Sequence, residues 1–163
     1  MTWQEWAFAA MAVLGLGAAV RLVTAKNVVH AALYLVVTLA MVGAMYLLLG
    51  AEFVAWVQVL IYVGAIVILL LFGLMLTRAP IGREALDNQQ RVLAGIVSVG
   101  VIVGLILLID SAFGGVRIDL TPTTTAQTGM SIFTRFVLPF EVVSFLLLAA
   151  LIGAVVLARK EDP

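Results

Sequence analysis

The sequence predicts an all-α integral membrane protein, a bundle of five transmembrane helices with its amino terminus outside and its carboxyl terminus in the cytoplasm. Composition is the first ground: 64% of the 163 residues are hydrophobic and 11% are charged, with a mean hydropathy of +1.23. That is far more apolar surface than a soluble domain of this size can bury. The second ground is that this surface is gathered into five runs, each free or nearly free of ionised residues and bounded by charge or turn residues. The third is length, since a helix rises about 1.5 Å per residue and needs about 20 residues to cross the hydrocarbon core. In lipid, only helices and closed barrels satisfy their backbone polar groups.

The first run covers about Trp6–Thr24, and Arg21 near its end is placed to snorkel toward the headgroups. Glu5 precedes it and no basic residue does, unlike a cleavable secretory signal, so it is expected to stay as a membrane helix. Val28–Leu49 is the second run, joined to the third, Phe53–Thr77, by the short Gly50-Ala51-Glu52 turn. The fourth covers Val92–Ile109 and the fifth about Pro139–Ala158, all within one membrane domain, 1–163. Between the third and fourth runs, residues 78–91 carry Pro80 and Gly82 as breakers. The outer segment 110–138 contains Gly114-Gly115 and Thr121-Pro122-Thr123-Thr124-Thr125. This is turn chemistry rather than helical period, and the segment is expected to be irregular or partly mobile.

Orientation follows from the basic residues. Arg21, Lys26, Arg78, Arg83, Arg91, Arg159 and Lys160 fall on one side and only Arg117 and Arg135 on the other, seven against two. The positive side is the cytoplasmic one. Acidic and basic residues balance at nine each, so net charge gives no reason to expect nucleic acid or an acidic substrate. Cysteine is absent, which excludes disulfide staples, thiolate metal sites and thiol catalysis in this chain.

The chemistry therefore rests on a few polar groups inside the spans. The third run is 25 residues long without Asp, Glu, Lys or Arg, yet holds Gln58, Tyr62 and Gly64. At helical spacing Ala55, Gln58, Tyr62, Ala65, Leu69 and Phe72 share one face, so Gln58 and Tyr62 are expected to line the same contact or the same wet crevice. Two readings stand. In the commoner one, Gln58 and Tyr62 hydrogen-bond to neighbouring helices and Gly64 allows close approach. In the sharper one, Gly64 eases the insertion of a residue as a π-bulge, which frees a carbonyl and rotates one half of the helix against the other. A helix that gains or loses such a bulge is a switch.

In the second run His30, Tyr34 and Thr38 recur at four-residue steps, followed on nearly the same face by Met41 and Met45. His30 lies near the cytoplasmic end, where a histidine can exchange protons with solvent, although a satisfied interfacial imidazole is the commoner case. No second histidine exists to share a metal with it. Glu141 is the one acid of the fifth run; with Pro139 at the first helical position it falls in the first turn, where the helix dipole favours negative charge. That makes capping or interfacial pairing the first reading, with a proton exit as the alternative. Gly100 with Gly104, Ala149 with Gly153 and Ala150 with Ala154 give small-xxx-small spacings, which specify packing. No nucleophile with its base, metal cluster or phosphate-cradling loop is visible, so no catalytic centre, bound cofactor or metal is expected in this chain. Tyr62, a phenol, is suited to orienting water rather than releasing protons.

At these residues the chain resembles a known family. Asn27-Val28-Val29-His30-Ala31-Ala32-Leu33-Tyr34, the Glu52-Phe53 start of the third helix, and above all Gln58-Val59-Leu60-Ile61-Tyr62-Val63-Gly64-Ala65-Ile66 with Phe72 and Met75 are similar to subunit J of bacterial NADH-quinone oxidoreductase. This is the counterpart of chain 6 of mitochondrial complex I and of the related chloroplast complex. The resemblance implies a hetero-oligomeric place in the membrane arm beside subunits A, H, K and N, in the bacterial cytoplasmic membrane. Flavin, iron-sulfur clusters and quinone would then lie on other subunits. It also implies that the third helix switches between π-bulge and regular helix, opening and closing a water wire between the quinone-linked channel and the carboxylates of subunit K. By position Tyr62 and Gly64 inherit that gate, with Gln58 beside them and Val63, Val67 and Leu71 as wall residues. Val28 stands where many members have proline, and Gln58 where some have glutamate, so a proton role at Gln58 would run through water or hydrogen bonding. The rival readings are a structural membrane spacer and a related subunit of a multisubunit cation/proton antiporter.

Overall fold

The computed structural model describes residues 2–77, 90–116 and 121–159. Five helices in it are long and apolar enough to cross a membrane. They are α1 (Trp3–Thr24), α2 (Val28–Leu48), α3 (Glu52–Leu76), α4 (Arg91–Phe113) and α6 (Val137–Ala158), with a short α5 (Thr125–Thr134) before the last. Among the described residues β-structure is limited to one isolated bridge, Ala51 to Thr123. The 78–89 part of the connection between α3 and α4, with Arg78 and Arg83, lies outside the described residues, as do Arg117 and Lys160.

The helices overrun the uncharged runs because charge is tolerated at their ends. Glu5 lies in the first turn of α1, where the Thr2 N–H donates to its carboxylate at 3.1 Å, so the helix starts at Trp3 rather than Trp6. Likewise α4 passes through Asp110 and ends only at Gly114, whose N–H donates to the Asp110 carbonyl. Glu52, expected in a turn, is the first residue of α3.

Two expectations need correction. The outer segment is not irregular throughout: Thr124 caps α5, accepting from the Gln127 N–H at 3.3 Å while the Gln127 side chain accepts from the Thr124 N–H at 3.1 Å. This reciprocal box satisfies two donors at the helix start and offsets the weak helical propensity of the threonine run. Pro139 is not the first residue of the last helix, which begins at Val137, so Glu141 falls past the first turn. Proline is still accommodated there because the N–H groups of the opening turn need no partner within the helix.

Packing is concentrated on α2, which lies between α1 and α3 and touches α3 along both its halves. Among the described residues α1 and α3 do not touch each other. Small residues set these contacts: an added Cβ at Gly43 would lie 3.3 Å from Val59 Cγ2 and 3.5 Å from Gln58 Cγ, and one at Gly15 would lie 3.2 Å from Met41 Cβ. Without a hydrophobic drive between helices in lipid, such close approach is what makes dispersion contacts dense enough to hold a pair. Ala18, Ala32, Ala55 and Val67 form the buried core.

The segment leading into α5 straps the α2–α3 turn. Gly50 takes φ 72°, and a side chain there would meet Pro122, whose Cα lies 3.0 Å from the ideal Cβ position, so both conformation and space require glycine. Thr123 N–H donates to the Gly50 carbonyl at 3.2 Å, and the Glu52 carboxylate accepts from the Thr125 N–H at 3.4 Å. At the far end of α5 the rings of Phe133 and Phe140 meet edge-on with centroids 5.1 Å apart, turning the chain into α6. Among the described residues α6 touches only α5, and α4 touches no other helix.

Candidate functional site

The middle of α3 is not α-helical. Residues Gln58–Ile66 form a π-helical segment between regular turns at Glu52–Val57 and Val67–Leu76. At its end the Val67 N–H donates to the Tyr62 carbonyl, five residues back rather than four. Closing five back adds a residue to the turn, and such segments are uncommon enough to mark strain or function.

That extra residue resets which side chains face α2. Starting from Gln58, an unbroken α-helix would carry the inward face through Tyr62, Ala65, Leu69 and Phe72. Instead the residues shielded from the surroundings after Gln58 are Val63 and Gly64, then Val67, Leu71 and Leu74. The expectation that Gln58 and Tyr62 share a contact is therefore overturned. Gln58 is buried at 7% exposure, whereas Tyr62 is 45% exposed, rotated off the α2 face by the π segment. Val67, at 1%, is the most deeply buried large side chain among the described residues.

Each polar group has a local account. The Gln58 side-chain amide donates to the Leu39 carbonyl of α2 at 3.4 Å, a long bond, and Gly43 leaves room for its stem. Gly64 carries no steric demand of the first order: an added Cβ would sit 3.5 Å from the Val59 carbonyl oxygen, ordinary contact. Its lack of a side chain lowers the cost of leaving α-geometry instead. Below, Thr38 Oγ1 donates to the Tyr34 carbonyl of its own helix at 2.9 Å, so that hydroxyl is used locally.

His30 and Tyr34 are brought together elsewhere, in a cleft of about 410 Å³ at the α1–α2 junction that Arg21 and Lys26 also line. The Arg21 guanidinium lies 5.8 Å from the centroid of the Tyr34 ring, in cation–π range. Glu141 joins none of these groups; it is exposed on α6, which does not approach α2 or α3 among the described residues. The described residues contain no group of three or more His, Asp or Glu side chains arranged to hold a metal.

Sequence reasoning missed Gly43, the seat of the α2–α3 contact; an isolated glycine within an apolar helical run was its signal. It also missed the Thr124-x-x-Gln127 box, legible as a helix start.

Comparison with known proteins agrees over most of the chain. The family described as NADH-ubiquinone/plastoquinone oxidoreductase chain 6 matches residues 18–157. The chain is 37% identical over 157 residues to NAD(P)H-quinone oxidoreductase chain 6 of Leptolyngbya boryana, covering 94% of this chain and 79% of that one. It is 38% identical over 162 residues to F(420)H(2) dehydrogenase subunit J of Methanosarcina mazei, covering 94% and 90%. With the chloroplastic NAD(P)H-quinone oxidoreductase subunit 6 of Mesostigma viride it shares 40% identity over 148 residues, 88% and 78% of the two chains.

Proposed function

We propose that this chain, which belongs to the NADH-ubiquinone/plastoquinone oxidoreductase chain 6 family, gates proton movement in the membrane arm of a quinone-reducing complex. Its work would be to couple quinone reduction elsewhere to translocation through α3. The observation that carries this reading is the π segment Gln58–Ile66 at the centre of the longest span. Loss of its extra residue would turn Tyr62 toward α2 and move Val63 off it, by the period of the regular helix. The polar phenol would then replace an apolar wall at membrane depth, wetting a passage that Val63, Val67 and Leu71 keep dry. Gln58, an amide, takes part through hydrogen bonding and not by carrying a proton itself.

The reading extends to partners and place. Subunits A, H, K and N are the expected neighbours, in a bacterial cytoplasmic membrane, with the amino terminus outside by the seven-to-two distribution of basic residues. Flavin, iron-sulfur clusters and quinone belong on other subunits. The named relatives include both NAD(P)H-quinone oxidoreductase and F(420)H(2) dehydrogenase subunits, so the electron donor is set outside this chain.

The test uses the purified complex carrying Tyr62→Phe or Gly64→Val. Tyr62→Phe is expected to keep assembly and lower coupled turnover; Gly64→Val is expected to lower it further, because a β-branched side chain restricts the turn that must rearrange. Normal rate and normal proton-to-electron ratio in both variants would end the gating reading. A spacer role is favoured by one observation, the bare surfaces of α4 and α6, and predicts that activity falls only in step with the amount of intact complex.

A further inference from the structure

We infer that the cleft at the α1–α2 junction binds the headgroup phosphate of an anionic phospholipid. Among the described residues it is lined by Arg21, Lys26 and His30 with Tyr34 and Asn27, and by no carboxylate. Its volume of about 410 Å³ lies in the range of small-molecule sites, roughly 300–1,000 Å³.

Its depth is fixed by the helices that bound it. α1 ends at Thr24 after 22 residues and α2 starts at Val28, so the cleft sits where a helix of full spanning length leaves the hydrocarbon, at headgroup level. On the same last turns of α1, Val20, one turn before Thr24 on its face, is 59% exposed, apolar surface beside the cleft suited to an acyl chain. The Tyr34 ring under the Arg21 guanidinium keeps that cation on the α2 side of the junction. There its planar fork of N–H donors matches phosphate oxygens, Lys26 adds a mobile second cation, and His30 adds a ring N–H donor. The Asn27 side-chain oxygen accepts from the Val29 N–H at 2.9 Å, which fixes the floor of the cleft as the capped start of α2. Basic pockets between membrane helices take anionic headgroups by this combination of charge and depth. The inference is independent of gating in α3, about 30 residues away in sequence.

The test is made on the complex stripped of lipid in mild detergent. It is titrated with a short-chain phosphatidylglycerol, a phosphatidylcholine of equal chain length, and inorganic phosphate, while hydrogen exchange is followed over residues 24–30. Phosphatidylglycerol is expected to protect this segment selectively. Arg21→Gln with Lys26→Gln should weaken that protection about thirtyfold, from roughly fivefold per cation near an anionic headgroup, while Arg21→Lys with Lys26→Arg retains most of it. If the double neutral variant fails to assemble, Lys26→Gln alone, at an exposed position, is expected to weaken it about fivefold. Unchanged protection in the neutral variants, equal protection by phosphatidylcholine, or phosphate acting as well as the lipid would each overturn the inference. So would cross-linking that finds Lys26 paired with a carboxylate of a sister chain.

Discussion

Helices α3 and α4 have the same mean hydropathy, 3.0, yet α3 keeps Ala55, Gln58 and Val67 buried against α2, while no residue of α4 from Val92 to Phe113 is buried within the chain. Apolar character put both in the membrane and says nothing more about either. What separates them is where small residues meet a partner in register. Gly43 brings α2 within van der Waals reach of Val59 and Gln58, whereas Gly95, Gly100 and Gly104 of α4 have nothing within 4 Å of an added Cβ. The α1–α3 unit is thus held by contacts inside the chain, and α4 and α6 present their surfaces to lipid or to other subunits.

Substitutions can break this contrast, and the largest effect is expected at Gly43. Gly43→Leu should drive α2 from α3, at about 3 kcal/mol given that overpacking commonly costs 1–3 kcal/mol, read as lost recovery of folded chain in detergent. Gly104→Leu in the same assay is expected to change stability by less than about 0.5 kcal/mol. Equal damage from the two would mean that the contrast between the helices is not real. In the assembled complex Gly104→Leu becomes informative in another way, since lost assembly there would identify a protein neighbour rather than lipid.

A smaller effect sharpens the role of the π segment. Gly64→Ala has room, so its folded state should change by no more than about 1 kcal/mol in favour of regular helix, while Gly64→Val lowers coupled turnover more. A variant pair with equal turnover would remove the link between backbone freedom at position 64 and function. Next comes Gln58→Leu, which gives up only a bond of 3.4 Å to the Leu39 carbonyl. Its expected cost is about 1 kcal/mol or less, measured by thermal unfolding of the complex. Tyr62→Phe is expected to be the mildest for stability, under about 0.5 kcal/mol, because the side chain is half exposed. A loss of coupled turnover larger than the loss of stability then isolates the hydroxyl.

Much of the architecture was legible because its signals are local. Runs of twenty apolar residues, the charge that bounds them and the glycine before Glu52 each act through neighbours in the chain. The candidate site was legible in part: Gln58, Tyr62 and Gly64 stood out as polar or flexible groups at membrane depth. Their shared face was read wrongly, because the α-helical period was carried through a segment that does not obey it. The Thr124-x-x-Gln127 box was present and overlooked beneath the turn-forming threonines and glycines.

The sequence by itself determined five crossings and a short turn between the second and third, and it offered a helix centre able to leave α-geometry as one of two readings, since hydropathy, glycine freedom and backbone satisfaction in lipid depend on residue type and order alone. Only the tertiary structure decided that α2 is the central helix, that Gln58 and Val67 face it while Tyr62 does not, and that Arg21 reaches across to Tyr34. Those outcomes depend on the phase of one helix against another, which one added residue in a turn resets without altering any local preference.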